Sequence, residues 1–191
     1  MARAPRIGQG KRRLARDVGN IEAARFYRSN VASLLRRLSR ERRWELWLAV
    51  TPGRDATPQG LWPFKGFVVD QGRGDLGERM GRLFMNMPAG PLVVIGSDIP
   101  GIESRHIQQA FRELGRSDWV IGPGCDGGYW LIGARRRPRL YEPFAGVRWS
   151  HPETLSDTLK NLEGRKVAFL EELDDVDEGP DLRSLRKKPR P

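Results

Sequence analysis

Residues 91–100 read Pro-Leu-Val-Val-Ile-Gly-Ser-Asp-Ile-Pro, and this stretch decides the fold class. Its continuous apolar run predicts a central strand over residues 91–97, buried on both faces as in a parallel sheet. Pro100 cannot extend a ladder of hydrogen bonds, so the chain turns there and leaves Asp98 at the carboxyl end of the strand. Because open α/β sheets bind ligands beyond the carboxyl ends of their strands, Asp98 is a candidate binding residue.

Helices and strands alternate on both sides of this stretch. Helices are predicted to begin at Asn20 and to cover residues 75–85, 103–114 and 152–162, and strands to cover residues 44–50, 66–69, 119–122, 129–134 and 166–170. This alternation predicts a single-domain α/β protein whose Rossmann-like, mostly parallel sheet has helices on both faces. We expect the domain to span residues 1–182 and residues 183–191 to form a basic disordered tail.

Composition narrows the possible locations and partners. The single cysteine, Cys125, excludes a disulfide framework within the chain and favours a reducing, cytoplasmic location. No stretch is apolar for long enough to span a membrane, and the basic start lacks the apolar core of a secretory signal. Residues 1–43 hold 13 Lys and Arg but only 3 Asp and Glu. This positive charge could bind nucleic acid. Because the sequence has no aromatic-basic RNA-binding module, the interpretation as a solvated helix face is favoured. A few of these cations could also bind a phosphate.

Two groups of carboxylates are candidate metal ligands. Asp98 could hold a hard cation such as Mg²⁺ or Mn²⁺, which would in turn hold phosphate oxygens. It could equally cap the helix or turn that follows. Residues 174–177, with three aspartates after the final predicted strand, suit a metal or form an ordinary solvated acidic loop.

Three glycine-rich stretches allow a functional and a structural interpretation. Residues 122–128 surround Asp126 and could approach a ligand closely, or form a tight hairpin, and the two are compatible. Residues 8–13 suit a phosphate cradle or a flexible basic start. Residues 71–80 leave a helix N-terminus open to an anion or base edge, or simply lead the chain into the helix.

In this order, these stretches resemble the bacterial GT-A-fold glycosyltransferase-like proteins, which are related to the molybdenum-cofactor guanylyltransferases and the 2-phospholactate guanylyltransferases. The matching stretches are residues 4–8 with 11–14, then 71–80, 96–100, 126–133, and 175–177 with 181–182. The resemblance implies a nucleotide-diphospho-sugar transferase fold with a nucleotide over the first half of the sheet.

The resemblance also implies roles for individual residues. Asp98 would be the main metal ligand, with Asp175 and Asp177 as a second metal contact. Asp126 would be the catalytic residue, orienting or deprotonating the acceptor. The implied nucleotide-binding residues, in which Lys11 and Arg13 face the phosphates, are Pro5, Gly8, Lys11, Arg13, Gln71, Gly72, Gly74, Asp75, Gly77 and Ser97.

Three features depart from the family pattern. A hydrophobic strand precedes residues 4–8 in the family, so the first strand is expected to be missing or truncated here. Arg12 stands where the family more often has Thr, and residues 177–181 differ from the usual Thr-Pro-Glu-Asp ending.

The expected function is a metal-dependent transferase that uses a nucleotide or nucleotide-sugar donor and a small-molecule acceptor, with a sugar as the favoured group. A nucleotidyltransferase that releases pyrophosphate is the first alternative, since the same metal chemistry serves both. A non-enzymatic binder of nucleotides or polyanions is the second, and would bind with a steep salt dependence and no metal requirement.

Overall fold

A computed structural model describes residues 1–5, 11–53, 61–62, 64–136 and 142–187. In chain order the elements are β1 (Ala2–Arg3), α1 (Arg12–Val18), α2 (Asn20–Leu38), β2 (Trp47–Thr51), β3 (Phe67–Asp70), α3 (Leu76–Asn86), β4 (Leu92–Ile95), α4 (Ser104–Leu114), β5 (Trp119–Pro123), β6 (Tyr129–Ala134), α5 (Thr154–Asn161), β7 (Val167–Phe169) and α6 (Gly179–Lys187). None of the described helices combines the length and the apolarity that a membrane span requires.

The strands form two hydrogen-bonded groups. One is the parallel sheet β1-β2-β3, and the other is the mixed sheet β4-β6-β5-β7, in which β6 is antiparallel to both of its neighbours. The amino group of Met1 donates to the carbonyl oxygen of Ile95 over 2.8 Å, which places the start of β1 beside β4. The first strand, expected to be missing or truncated, is thus present as two residues.

Helices cover both faces of the sheet, as predicted. Helices α2 and α4 pack on one face, where Leu38, Ile107 and Leu114 contact Val120 and Leu131. On the other face, α3 and α5 pack against the same strands through the core residues Met80, Phe84, Ile121, Ile132 and Leu162. Neighbouring residues of β5 and β6 therefore point to opposite cores, which is why these strands read as continuous apolar runs.

Strand β4 is less buried than its sequence predicts. Only Val94 of its four residues is fully buried, and the other three are partly exposed. The cause is an apolar slot of about 90 Å³ between β2 and β4, lined among others by Trp47, Ala49 and Val93. Because β1 is only two residues long, it does not fill the space beside β4.

The C-terminal segment differs from the prediction. Residues 179–187 form α6, whereas the sequence predicted a disordered tail from residue 183. Leu182 packs with Leu14 of α1, Ala23 of α2 and Val176, so α6 is anchored to the start of the chain. Residues 188–191 lie outside the described residues.

Candidate active site

A cavity of about 530 Å³ opens beyond the carboxyl ends of β1, β3 and β4. Six of the residues predicted to form the site line it, namely Pro5, Lys11, Gln71, Ser97, Asp98 and Asp175. The volume is typical of a cleft that encloses a small-molecule ligand. The position agrees with the rule that open α/β sheets bind at the carboxyl ends of their strands.

An ammonium group lies between two carboxylates at this cavity. Nζ of Lys11 is 3.1 Å from Oδ2 of Asp98 and 2.5 Å from Oδ1 of Asp177, and the lysine side chain is only 7% exposed. Burial alone would lower the pKa of Lys11, but the charges of Asp98 and Asp177 outweigh it and raise that pKa. The lysine is therefore a permanent cation whose charge the two aspartates share.

Packing at the chain ends brings these distant residues together. The cluster of Leu14, Ala23, Val176 and Leu182 places α6 against α1. The carboxylate of Asp17 on α1 accepts a hydrogen bond of 2.7 Å from the backbone N–H of Gly179. Val176 points into this cluster, so its two neighbours point away from it, where Asp175 lines the cavity and Asp177 contacts Lys11.

Asp175 is the second carboxylate that lines the cavity. Burial, followed by the negative charge of Asp177, raises the pKa of Asp175 to about 6. Asp126 and Asp98 act in the same direction, while Lys11 opposes them. Four aspartates thus lie within electrostatic range of one another, and a single lysine is too little positive charge to keep all of them ionised at low cost.

A hydrogen-bonded support holds the loop that carries Asp98. Asn30 donates to the carbonyl oxygen of Ser97 over 2.8 Å, and the Tyr27 hydroxyl lies 3.0 Å from Oγ of Ser97. That Oγ in turn donates to Oδ1 of Asp98 over 3.2 Å. The alternative role of Asp98 as a cap for the next helix is not realised, because Glu103 caps α4.

Gln71 is a structural link between strands. Its Nε2 donates to the carbonyl oxygens of Ala2 (3.0 Å) and Ala49 (2.9 Å), so it joins β1 to β2. Its Oε1 accepts from Nη1 of Arg79 over 3.1 Å. All of the donors of the amide are used within the protein, and a nucleotide can reach Gln71 only through its oxygen or by contact.

The rest of the 71–80 stretch serves helix α3. Asp75 caps the helix and forms a reciprocal capping box with Glu78. Gly77 packs so closely that an added Cβ would lie 2.6 Å from the Trp149 ring. Gly72, Gly74, Asp75 and Gly77 lie outside the cavity lining, and their predicted contacts with a nucleotide remain predictions.

The loop around Asp126 is a hairpin between β5 and β6. Oδ1 of Asp126 accepts from the backbone N–H of Gly128 over 2.9 Å, and the carboxylate also lies close enough to Asp175 to raise its pKa. Cys125 is exposed beside two carboxylates, and hydrogen bonding to Asp174 and then Glu172 raises the pKa of its thiol to about 12. Cys125 is therefore a bystander and not a nucleophile.

The structure separates one predicted phosphate ligand from the cavity and does not describe another. Arg13 is exposed on α1 and does not line the cavity, although Lys11 of the same stretch does. Gly8 lies outside the described residues.

Sequence analysis missed four residues of the site, namely Arg3, Tyr27, Asn30 and Arg79. Tyr27 and Asn30 are three apart on α2 and so share a face, but only the tertiary structure places that face behind Ser97.

The chemistry of the donor set fits a divalent metal, with one condition. Carboxylate oxygens are the ligands that Mg²⁺ and Mn²⁺ prefer. Among the described residues, however, no three His, Cys, Asp or Glu side chains converge in a geometry that could hold a metal. Nζ of Lys11 occupies the point where Asp98 and Asp177 meet. The ammonium thus stands where a cation shared by these two carboxylates would lie.

Comparisons with known proteins identify the fold. The bacterial family described as "Uncharacterized protein conserved in bacteria (DUF2064)" matches residues 34–151. A "putative nucleotide-diphospho-sugar transferase" from Desulfovibrio desulfuricans G20 is 32% identical, with a TM-score of 0.88 over 97% of this chain and 84% of that chain. The protein therefore has the nucleotide-diphospho-sugar transferase fold that the sequence predicted.

Two other solved structures are more distant. CMP-2-keto-3-deoxy-manno-octonic acid synthetase, in complex with CTP, is 13% identical with a TM-score of 0.56 over 82% of this chain and 86% of that chain. A manganese complex of Rv0371c from Mycobacterium tuberculosis H37Rv is 18% identical with a TM-score of 0.47, over 83% and 86% of the two chains. Curated protein sequences give no match.

Proposed function

The chain belongs to the bacterial DUF2064 family, and on that premise we propose that it is a metal-dependent transferase that uses a nucleotide-activated donor, most simply a nucleotide-sugar. The observation that carries the proposal is the buried Lys11 ammonium between Asp98 and Asp177, beside a cavity of about 530 Å³. A lysine, together with carboxylates that could hold a metal ion, at the carboxyl end of β4 suits the negative charge of a leaving diphosphate.

Each residue of the site has a proposed task. Asp98 and Asp177, with Asp175 beside them, would hold Mg²⁺ or Mn²⁺, which when bound neutralises negative charge that develops on a leaving phosphate. Lys11 would turn from the aspartates to a phosphate oxygen and keep its charge in the cavity. Asp126 would orient or deprotonate the hydroxyl of a small-molecule acceptor. We place the protein in the cytoplasm, where such donors are made and its single thiol stays reduced.

The identity of the transferred group separates this proposal from its first alternative. The D. desulfuricans relative is named for nucleotide-diphospho-sugars, whereas the synthetase of similar fold was crystallised with CTP. A glycosyltransferase releases a nucleoside diphosphate or monophosphate from a nucleotide-sugar. A nucleotidyltransferase releases pyrophosphate from a nucleoside triphosphate.

A ligand screen tests the proposal. Thermal unfolding is measured with GTP, CTP, UTP, ATP and the common nucleotide-sugars, each with and without Mg²⁺ or Mn²⁺, since a ligand of the folded state raises Tm by mass action. We expect one nucleotide family to raise Tm only in the presence of metal. Asp98→Asn should abolish that rise, whereas Asp174→Asn, which changes an exposed aspartate beside Cys125, should keep it.

Two outcomes would contradict the proposal. If folded Asp98→Asn protein kept full metal-dependent binding, Asp98 would not be the metal ligand. If binding fell steeply with salt and ignored metal, the protein would be a polyanion binder. Once a donor is found, detection of pyrophosphate or of a released nucleotide assigns the transferred group.

A further inference from the structure

Two arginines that the proposed chemistry does not use line the same cavity, Arg3 on β1 and Arg79 on α3. The guanidinium of Arg79 donates from Nε to the carbonyl oxygen of Asp75 (3.0 Å) and from Nη1 to Oε1 of Gln71 (3.1 Å). Both acceptors are uncharged. In the part of the chain that the structure describes, the side chain of Arg3 makes neither a hydrogen bond nor an ion pair.

The positive charges of Arg3 and Arg79 lie within electrostatic range of each other at one wall of the cavity. Burial, followed by the charge of Arg3, lowers the pKa of Arg79, and Asp75 only partly opposes this. The carboxylate of Asp75 is directed elsewhere, since its Oδ1 accepts from the backbone N–H of Glu78. Two like charges close to one another, on an exposed Arg3 and a partly buried Arg79, favour an anion in the cavity.

The arrangement is rigid on the Arg79 side. Gln71 is 2% exposed, and its Nε2 is fixed by the carbonyl oxygens of Ala2 and Ala49. Its Oε1 is therefore held in one orientation, and its hydrogen bond with Nη1 orients the Arg79 guanidinium group. Ala2 is also the residue before Arg3, so the same amide fixes the backbone beside Arg3, while the Arg3 side chain stays exposed.

We propose that Arg3 and Arg79 form an oxyanion-binding position that takes a phosphate or carboxylate group of the molecule bound in the cavity. Guanidinium groups match both groups geometrically, because their planar N–H pairs can donate to two oxygens at once. The position goes beyond the proposed function, since it requires neither a metal nor group transfer.

One molecule can reach both this position and the aspartates. The backbone N–H of Arg3 donates to the Tyr27 hydroxyl over 2.9 Å, and that hydroxyl lies 3.0 Å from Oγ of Ser97, the residue before Asp98. The arginine end and the aspartate end of the cavity are thus linked through one tyrosine. The oxyanion comes either from the donor, as a phosphate, or from an acidic acceptor.

Sodium phosphate without metal, in EDTA, is the first probe. We expect phosphate to raise Tm of the wild-type protein, and Arg3→Gln and Arg79→Gln each to weaken its affinity about tenfold, as loss of a charge-assisted hydrogen bond does. Arg28→Gln, which removes the same charge from an exposed site of α2 outside the cavity lining, should leave the affinity unchanged. Because no hydrogen bond or ion pair joins the Arg3 side chain to the described residues, Arg3→Gln should keep or raise Tm of the ligand-free protein.

Equal phosphate affinity in wild type, Arg3→Gln and Arg79→Gln would overturn the proposal, as would equal weakening by Arg28→Gln. A second arm titrates nucleoside triphosphates with Mg²⁺ into wild type and Arg3→Gln. A tenfold loss there assigns the oxyanion to the donor, and unchanged affinity assigns it to the acceptor. If no nucleotide binds, the proposed function is contradicted, but the phosphate measurements in EDTA still test the oxyanion-binding position.

Discussion

At the scale of single residues, Lys11 acts as a resident cation that competes with a divalent metal. It holds Asp98 and Asp177 at 3.1 and 2.5 Å, so metal alone has to displace a buried ammonium. A nucleotide offers the ammonium a phosphate instead. It follows that metal and nucleotide should bind together, and that metal alone should bind weakly.

Lys11→Met should therefore strengthen the binding of metal to the ligand-free protein. We expect the affinity for Mn²⁺ alone, measured by electron paramagnetic resonance, to rise about tenfold, because the competing charged hydrogen bonds are lost. Tm should fall in EDTA, where three aspartates are left without their cation, and Mn²⁺ should restore part of it. Affinity for nucleotide should fall.

Arg13→Met is the control, because it removes a cation of the same segment that lies outside the cavity. It should leave Mn²⁺ affinity and Tm close to those of the wild type. An unchanged Mn²⁺ affinity in folded Lys11→Met protein would show that the lysine does not compete with metal.

Asp175 gives a pH-dependent prediction. Its pKa is about 6 in the folded protein against an ordinary value of 3.8, so between these values the folded state binds more protons than the unfolded state. Its contribution to the free energy of unfolding therefore falls as pH rises through this window and is lowest above pH 6. We expect Asp175→Asn to stabilise the metal-free protein at pH 7.5 by about 1 kcal/mol, a value reduced for the half-exposed carboxyl.

Urea unfolding in EDTA at pH 4 and at pH 7.5 measures this effect. The advantage of Asp175→Asn should disappear at pH 4, where the wild-type carboxyl is protonated in the folded protein. Glu163→Gln removes an exposed carboxylate far along the chain and should change stability equally little at both pH values. A stabilisation by Asp175→Asn that persisted at pH 4 would contradict the assigned pKa.

At the scale of elements, the hairpin between β5 and β6 is coupled to the start of α5. Gly127 has a φ of +81°, and an added Cβ would lie 2.0 Å from the carbonyl oxygen of Pro152. Its own carbonyl oxygen accepts from the backbone N–H of Leu155 over 2.9 Å. The loop that carries Asp126 is thus fixed by a close backbone approach.

Gly127→Ala should destabilise the protein by about 3 kcal/mol, from left-handed strain together with a backbone clash. Gly146→Ala is the matched control, because Gly146 also has a positive φ (+67°) but an added Cβ would contact nothing. It should cost about 1 kcal/mol from strain alone. Equal losses in the two variants, measured by thermal unfolding, would show that the Pro152 contact is unimportant.

The elements also show how far the sequence predicts this structure. Strand β6 has the bounds that the apolar run of residues 129–134 predicted, because a buried strand has a strong local pattern. Residues 183–187 of helix α6 were predicted as part of a tail, because this charged stretch lacks a clear apolar periodicity, whereas Leu182, which packs with Leu14 of α1, was placed in the domain. The Lys11–Asp177 contact joins residues 166 positions apart, so local patterns do not predict it. The resemblance to a family did bring both residues into the predicted site.

At the scale of the whole molecule, the two sheets meet through a short stretch at the start of the chain. Strand β1 pairs with β2 only at Val50 and Thr51, and Met1 makes the one described backbone hydrogen bond from β1 to β4. Ahead of this point, residues 47–49 of β2 and residues 92–94 of β4 flank the apolar slot. In the described chain no strand pairs with these two facing edges.

A variant with about six apolar, β-branched residues fused ahead of Met1 should fill this slot as a strand and join the sheets. Its backbone would satisfy both open edges, and its side chains would pack on Trp47, Ala49 and Val93. After the entropic cost of ordering the added residues is subtracted, we expect the free energy of unfolding to rise by about 2 kcal/mol and Tm by about 6 °C. A Gly-Ser segment of equal length is the control and should give no gain. If both segments left Tm unchanged, the slot would not be a strand position, and support for Asp98 would rest on Tyr27, Asn30 and Ser97 alone.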